Sequence, residues 1–140
     1  MNTDLYRAAL LEARAELWAI LPDRLASMLA TPGAAAAGGS APEAARPEPA
    51  RHSGAVAIVP VSGPIFSRGG GLLAKLFGGT SSEQLALTMR RAAADPAVSA
   101  IVLDINSPGG AVAGVTEAAA AIRDAASQKP VVAVANHLAA

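Results

Sequence analysis

Twelve residues, Ser99–Gly110, read SAIVLDINSPGG and hold the chemistry this chain's residue types can offer. The apolar run over 100–105 has the composition of a buried strand. It stops at Asn106-Ser107-Pro108-Gly109-Gly110, and apolar residues then recur at steps of three and four through Val112, Val115, Ala119, Ile122 and Ala126. A strand, a Pro-Gly-Gly turn and a helix set bare backbone N–H groups at a helix start, where an oxyanion or a phosphate can be held. Pro108 keeps Ser107 extended, and Gly109 and Gly110 let a ligand approach the main chain with no Cβ in the way. The same residues also serve as a plain tight turn between strand and helix, and both uses remain open. In the ligand-holding use, the turn is expected at a surface cleft rather than in the core. Ser107 has no His or Lys neighbour to activate it, and a residue before proline in a turn is structural, so it is not taken as a nucleophile.

Other chemistries are excluded by what the chain lacks. The glycine loop 68–79 is no Walker loop, because Gly78-Gly79-Thr80 has no lysine. Gly69, Gly71 and Ala74 do not form a dinucleotide fingerprint behind a strand. That loop reads either as a mobile lid beside a substrate groove or as a plain surface loop. No cofactor is expected. The absence of cysteine excludes disulfides and thiolate metal sites and fits a reducing compartment. The two histidines, His52 and His137, stand too far apart to suggest zinc, and His52 is given no role. Eleven basic and eleven acidic residues cancel, and one Trp, one Tyr and two Phe supply no stacking platform, so nucleic acid is not an expected partner. The 52% hydrophobic content is inflated by alanine, and no uncharged apolar run is long enough for an integral membrane span. Asp4, Arg7, Glu12, Arg14 and Glu16 exclude an ordinary secretory signal peptide.

The elements that must position the turn follow from pattern. Residues 1–30 form an N-terminal helical segment: a helix with the stripe Leu10, Ala13, Leu17 and Leu21, then a second short helix opened by Pro22 and carrying Leu25, Met28 and Leu29. The pattern is that of an amphipathic hairpin that docks on something, and its mixed rather than basic charges argue against a membrane-surface helix. Residues 31–53 are Ala, Pro and Gly-rich and are expected to be a flexible linker. The third unit spans 54–140. In it Ala55–Ser62 is a buried strand whose Pro60 marks an edge or a nearby strand end, and Gly63-Pro64 turns the chain. Thr80 caps a helix with Glu83 as its capping-box partner. That helix carries Leu85, Met89 and Ala92 and stops near Asp95-Pro96. The strand over 100–105 follows, then a helix over about 111–126 and, after Lys129-Pro130, a third buried strand over 131–135. Strands alternating with helices predict an α/β fold with a parallel sheet and right-handed crossovers.

Several of these segments, in their order and spacing, resemble one family. They are VSGPI at 61–65, GGTSSEQL at 78–85, DPAVSAIVLDI at 95–105, LDINSPGG at 103–110 and KPVVAVANHLAA at 129–140. Together they resemble the signal-peptide peptidase A family of serine peptidases, most closely its phage head-maturation (capsid) protease branch, within the Clp protease/crotonase superfamily. LDINSPGG alone is shared with Clp proteases. WAILPDRLASML at 18–29 resembles the leader of the phage-type members.

The resemblance implies an incomplete Clp/crotonase-like fold and a serine endopeptidase with a Ser/Lys dyad. It implies that Gly109 and Gly110 help line a backbone oxyanion hole. The family's nucleophile follows an Ala-Ala pair after the third strand; Ala139-Ala140 match that pair, so the serine is expected as the next residue and the base lysine further on, both outside this sequence. Lys75 and Lys129 do not match the base. His137, four residues before the expected nucleophile, has a structural or groove-lining role. These 140 residues are therefore expected to be the N-terminal part of the enzyme and inactive by themselves. The implied partners are a polypeptide substrate, either capsid and scaffold proteins or signal-peptide-like segments, and further copies of the chain. The implied setting is the cytoplasm of a bacterium or, for a phage or prophage product, the prohead. Two alternatives stand beside it: a crotonase-type acyl-CoA enzyme, which uses the same turn for a thioester enolate, and a non-catalytic scaffolding protein of the same fold. The residues encoded after position 140 separate the three.

Overall fold

The computed structural model describes residues 3–30, 50–69 and 71–140. The elements run α1 (Thr3–Ala15), β1 (Trp18–Ile20), α2 (Pro22–Ala30), β2 (Arg51–Ser53), β3 (Val56–Ser62), β4 (Ile65–Phe66), α3 (Leu72–Phe77), β5 (Thr80–Ser81), α4 (Ser82–Ala94), β6 (Ala100–Ser107), β7 (Gly109–Ala111), α5 (Val115–Ala126) and β8 (Val131–Ala139). The expected α/β class is what forms. β3, β6 and β8 are parallel neighbours in one sheet of order β2-β3-β6-β8, with β2 antiparallel at its end. A second, smaller sheet of order β1-β7-β4-β5 was not expected.

The main core lies between the large sheet and the helices α4 and α5. β3 alternates strictly, burying Ala57, Val59 and Val61. These meet Ile101 and Leu103 of β6, Leu85, Ala86, Met89, Ala92 and Ala93 of α4, and Ala118, Ala121 and Ala125 of α5. Alanines on the facing sides of α4 and α5 leave no long side chains to hold the helices apart. Pro60 falls where its missing N–H does no harm, because β2 pairs with β3 only as far as Ile58.

The cap of α4 differs from expectation. Ser81, not Thr80, is the cap residue, and its hydroxyl accepts the Gln84 N–H at 3.2 Å. The Thr80 hydroxyl is used elsewhere: it accepts the Ser62 N–H at 2.9 Å and donates to the Ser62 carbonyl at 3.0 Å. Capping and cross-strand bonding compete for one oxygen, and the cross-strand pair wins because it satisfies both polar groups of Ser62.

The N-terminal segment is not helical throughout. Pro22 does open α2, but Trp18–Ile20 is a strand. Of the expected stripe Ala13 is buried, whereas Leu17 is 74% and Leu21 39% exposed. α1 docks on α3 through Ala9, Ala13, Phe66 and Leu73, a second small core. The glycine loop 68–79 accordingly contains α3, whose first N–H, on Leu72, donates to the Glu12 carboxylate at 3.1 Å. Of the expected linker, 31–49 lies outside the described residues, while Arg51–Ser53 is β2. The strand at 131–135 extends to Ala139 but is not buried: Val132 is 55% and Val134 39% exposed. Its place at the end of the sheet, with β6 on one side and no strand on the other among the described residues, accounts for this.

Candidate functional site

Two strands of the large sheet cross side by side into the small one. β3 does so at Gly63-Pro64, entering β4, and β6 does so at Pro108, entering β7. The Gly63 N–H donates to the Asn106 carbonyl at 2.9 Å and ties the two crossings together. Proline suits the β6 crossing because it has no N–H to place in either ladder. Its carbonyl accepts the Leu21 N–H at 3.0 Å. The expected helix start at about 111 moves to Val115, because 109–111 is committed to β7 and the Val112 N–H donates to the Leu17 carbonyl at 2.8 Å.

In the turn Ser107, Gly109 and Gly110 are buried and Pro108 is half-buried. Ser107 is 2% exposed, and its hydroxyl accepts the Gly109 N–H at 3.2 Å, so it closes its own turn. β7 runs antiparallel to β1, with Ala19 opposite Gly110 and Ile20 opposite Gly109, and parallel to β4, with Ile65 beside Gly110. The Leu21 and Val112 donors flank this register, and the alternation of an antiparallel ladder makes Ala19 and Gly110 the hydrogen-bonded pair between them. The Gly110 N–H therefore points at the Ala19 carbonyl.

Both glycines are required by this crowding. Gly109 has φ +98°, and a Cβ there would stand 2.2 Å from the Ala19 oxygen. A Cβ on Gly110 would stand 2.0 Å from the Ile65 oxygen. Among the described residues, β1 and β4 close on the turn from both edges. Two clefts do exist, of about 800 and 1130 Å³, and Gly109 and Gly110 line neither. The larger is walled by Glu12, Glu16, Ser67, Arg68, Glu83 and Glu117, among others.

The end of β8 also reaches the turn. Ala139 is in register with Ser107, after an irregularity between Ile105 and Ser107, and the Ala140 N–H donates to the Ser107 carbonyl at 3.2 Å. The segments 103–110 and 129–140 thus meet at one point. His137 lies on β8 with its side chain exposed. Lys129 is elsewhere: its Nζ donates to the Ala92 and Asp95 carbonyls at the end of α4. Lys75 is exposed on α3, and His52 is on β2, at the opposite end of the large sheet from β8. Among the described residues no cluster of His, Cys, Asp or Glu has the makings of a metal site, and no helix is long and apolar enough to cross a membrane.

No family model matches the chain. Over 83 residues it is 39% identical to the capsid assembly protease C of Escherichia phage lambda, a match covering 59% of this chain and 19% of that protein. A second, the head-tail preconnector protein GP5 of Enterobacteria phage P21, is 38% identical over 82 residues, covering 58% of this chain and 16% of its own length. The chain thus spans less than a fifth of each relative.

What the sequence patterns missed at the site is β1. Its signal was present but slight: Trp and Ile flanking one alanine, with charged helix before it and Pro22 after it.

Proposed function

We propose that this chain supplies the glycine-strand part of the peptidase domain of a phage head-maturation endopeptidase that cleaves capsid or scaffold polypeptides. The enzyme works as a homo-oligomer within the prohead. On this reading the domain is of the signal-peptide peptidase A type within the Clp/crotonase superfamily. Its serine nucleophile and lysine base lie outside these 140 residues. One observation supports the reading above others: the Gly110 N–H is already aimed, as a donor, at the carbonyl of an extended segment, that of Ala19.

The chemistry follows from that geometry. A serine hydroxyl gives its proton to the lysine as its oxygen bonds to the scissile carbonyl carbon. The carbonyl oxygen takes the negative charge, and a fixed N–H aimed at it lowers the barrier. The carbon–nitrogen bond then breaks, the amine leaves with the proton, and water releases the acyl group from the serine. The hydrogen bond from Ala140 to Ser107 favours the expected serine position, because a residue joined to Ala140 starts beside the turn. The capsid assembly protease among the relatives supports the substrate class.

The test is cleavage of the co-encoded head proteins by the full natural gene product. Cleavage abolished by a serine-directed reagent and by alanine at the serine after Ala140 is the expected result. Incorporation into proheads with no cleavage would reject the peptidase in favour of the scaffolding alternative.

A further inference from the structure

We propose that β1 is the chain's own occupant of a polypeptide-binding edge on β7, and that an extended polypeptide binds there by replacing it. The proposal rests on the peptidase reading only for the purpose of that polypeptide; the binding itself is argued from the strand geometry.

β7 is interior to its sheet. One edge is held by β4 and the other by β1, and the Gly109 N–H is taken by Ser107. An incoming strand therefore meets the Gly110 N–H only on the edge that β1 covers. Of the two neighbours, β1 is the one whose departure leaves the main core intact. It is three residues long, and the α2 helix behind it buries no residue. Ala19 and the flanking Leu17 and Leu21, which alternate with Trp18 and Ile20, are exposed. The holding contacts are the ladder bonds, Trp18, whose Nε1–H donates to the Ala13 carbonyl at 2.8 Å and whose ring meets Phe66 edge-on at 6.0 Å, and the half-buried Met28 and Leu29 of α2, which pack on the small second core rather than the main one. β4, by contrast, carries buried Phe66 and continues directly from β3 in the main core.

β1 also states what the edge accepts. The occupant runs antiparallel to β7. It places a small residue opposite Gly110, where Ala19 now lies, and apolar residues two positions away on either side, opposite Val112 and Pro108. Main-chain bonds supply the binding and the alternate side chains the selectivity, as in other strand additions to a sheet edge.

A reversible lock tests this. Leu17 and Val112 face each other across the ladder, both exposed, and the chain has no cysteine of its own. Hydrogen-bonded antiparallel partners have Cα atoms about 5.5 Å apart, within disulfide range. In the Leu17→Cys/Val112→Cys chain, oxidation pins β1 and reduction frees it. The probe is a fluorescent peptide with the sequence of residues 16–22, ELWAILP. Saturable binding to the reduced form, at least tenfold weaker when oxidised, is the expected result. Equal binding in both forms, or none to the reduced form, overturns the proposal. Hydrogen exchange on the unaltered chain gives a second measure: the Leu21 and Val112 amides should exchange well before that of Ile101, and equal protection overturns the proposal too. Lock-sensitive binding without proteolysis by the full gene product would remove the peptidase reading and leave the displacement of β1 standing.

Discussion

The Ala140 N–H lies 3.2 Å from the Ser107 carbonyl, which joins the last residue of this sequence to the first residue of the Ser-Pro-Gly-Gly turn. Between Ile105 and Ser107 the ladder with β8 loses its regular register, so β8 overruns β6 by the length of that irregularity. β6 is bending there toward the small sheet. The bend is what brings residues more than thirty positions apart to the same point.

Two glycine substitutions should separate crowding from conformation. Gly110→Ala puts a Cβ 2.0 Å from the Ile65 oxygen, so backbone must move, and the loss should be about 3 kcal/mol or more. Gly54→Ala, at φ +62° with nothing within 4 Å, meets only the left-handed backbone penalty of about 1–2 kcal/mol. Urea unfolding of both variants measures the difference. Similar losses would mean that β4 yields freely to a side chain on β7.

Thr80→Val keeps shape and removes the hydroxyl. The Ser62 N–H and carbonyl then lose their shared partner in a part-buried setting. The expected loss is about 1–3 kcal/mol. Thermal melting of the variant checks it, and an unchanged Tm would show that water replaces the hydroxyl.

Lys129→Met keeps the apolar stem and removes the ammonium that bridges the Ala92 and Asp95 carbonyls. The side chain is only partly buried, so water can take up part of the role, and about 1 kcal/mol should be lost. Amide exchange should quicken at the last turn of α4 more than at its first. A uniform change along α4 would contradict a local role.

Met89 is wholly buried between the large sheet and the α4–α5 pair. Met89→Ala should cost about 2–5 kcal/mol, depending on how far the alanine-rich surroundings close in. Chemical denaturation of the variant reads it directly.

Much of this architecture was legible without coordinates. The strands β3, β6 and β8, the helices α4 and α5 and their stops at Asp95 and before Pro130 all announce themselves, because apolar period and Pro or Gly punctuation are local properties of the chain. The glycines at 109 and 110 were legible as a pair that permits either a tight turn or a close approach to the main chain. What they lie against was decided by the tertiary structure: Ala19 on one side and Ile65 on the other. The small sheet is built from strands of two or three residues, β1, β4, β5 and β7, too short to leave a period in the sequence. Each is extended because its partners are in place, and the partners come from segments scattered between residues 18 and 111. The same holds for Thr80, whose hydroxyl would suit a helix cap as well as it suits Ser62. A local pattern can specify what a residue is able to bond; only the packed chain determines which partner arrives first.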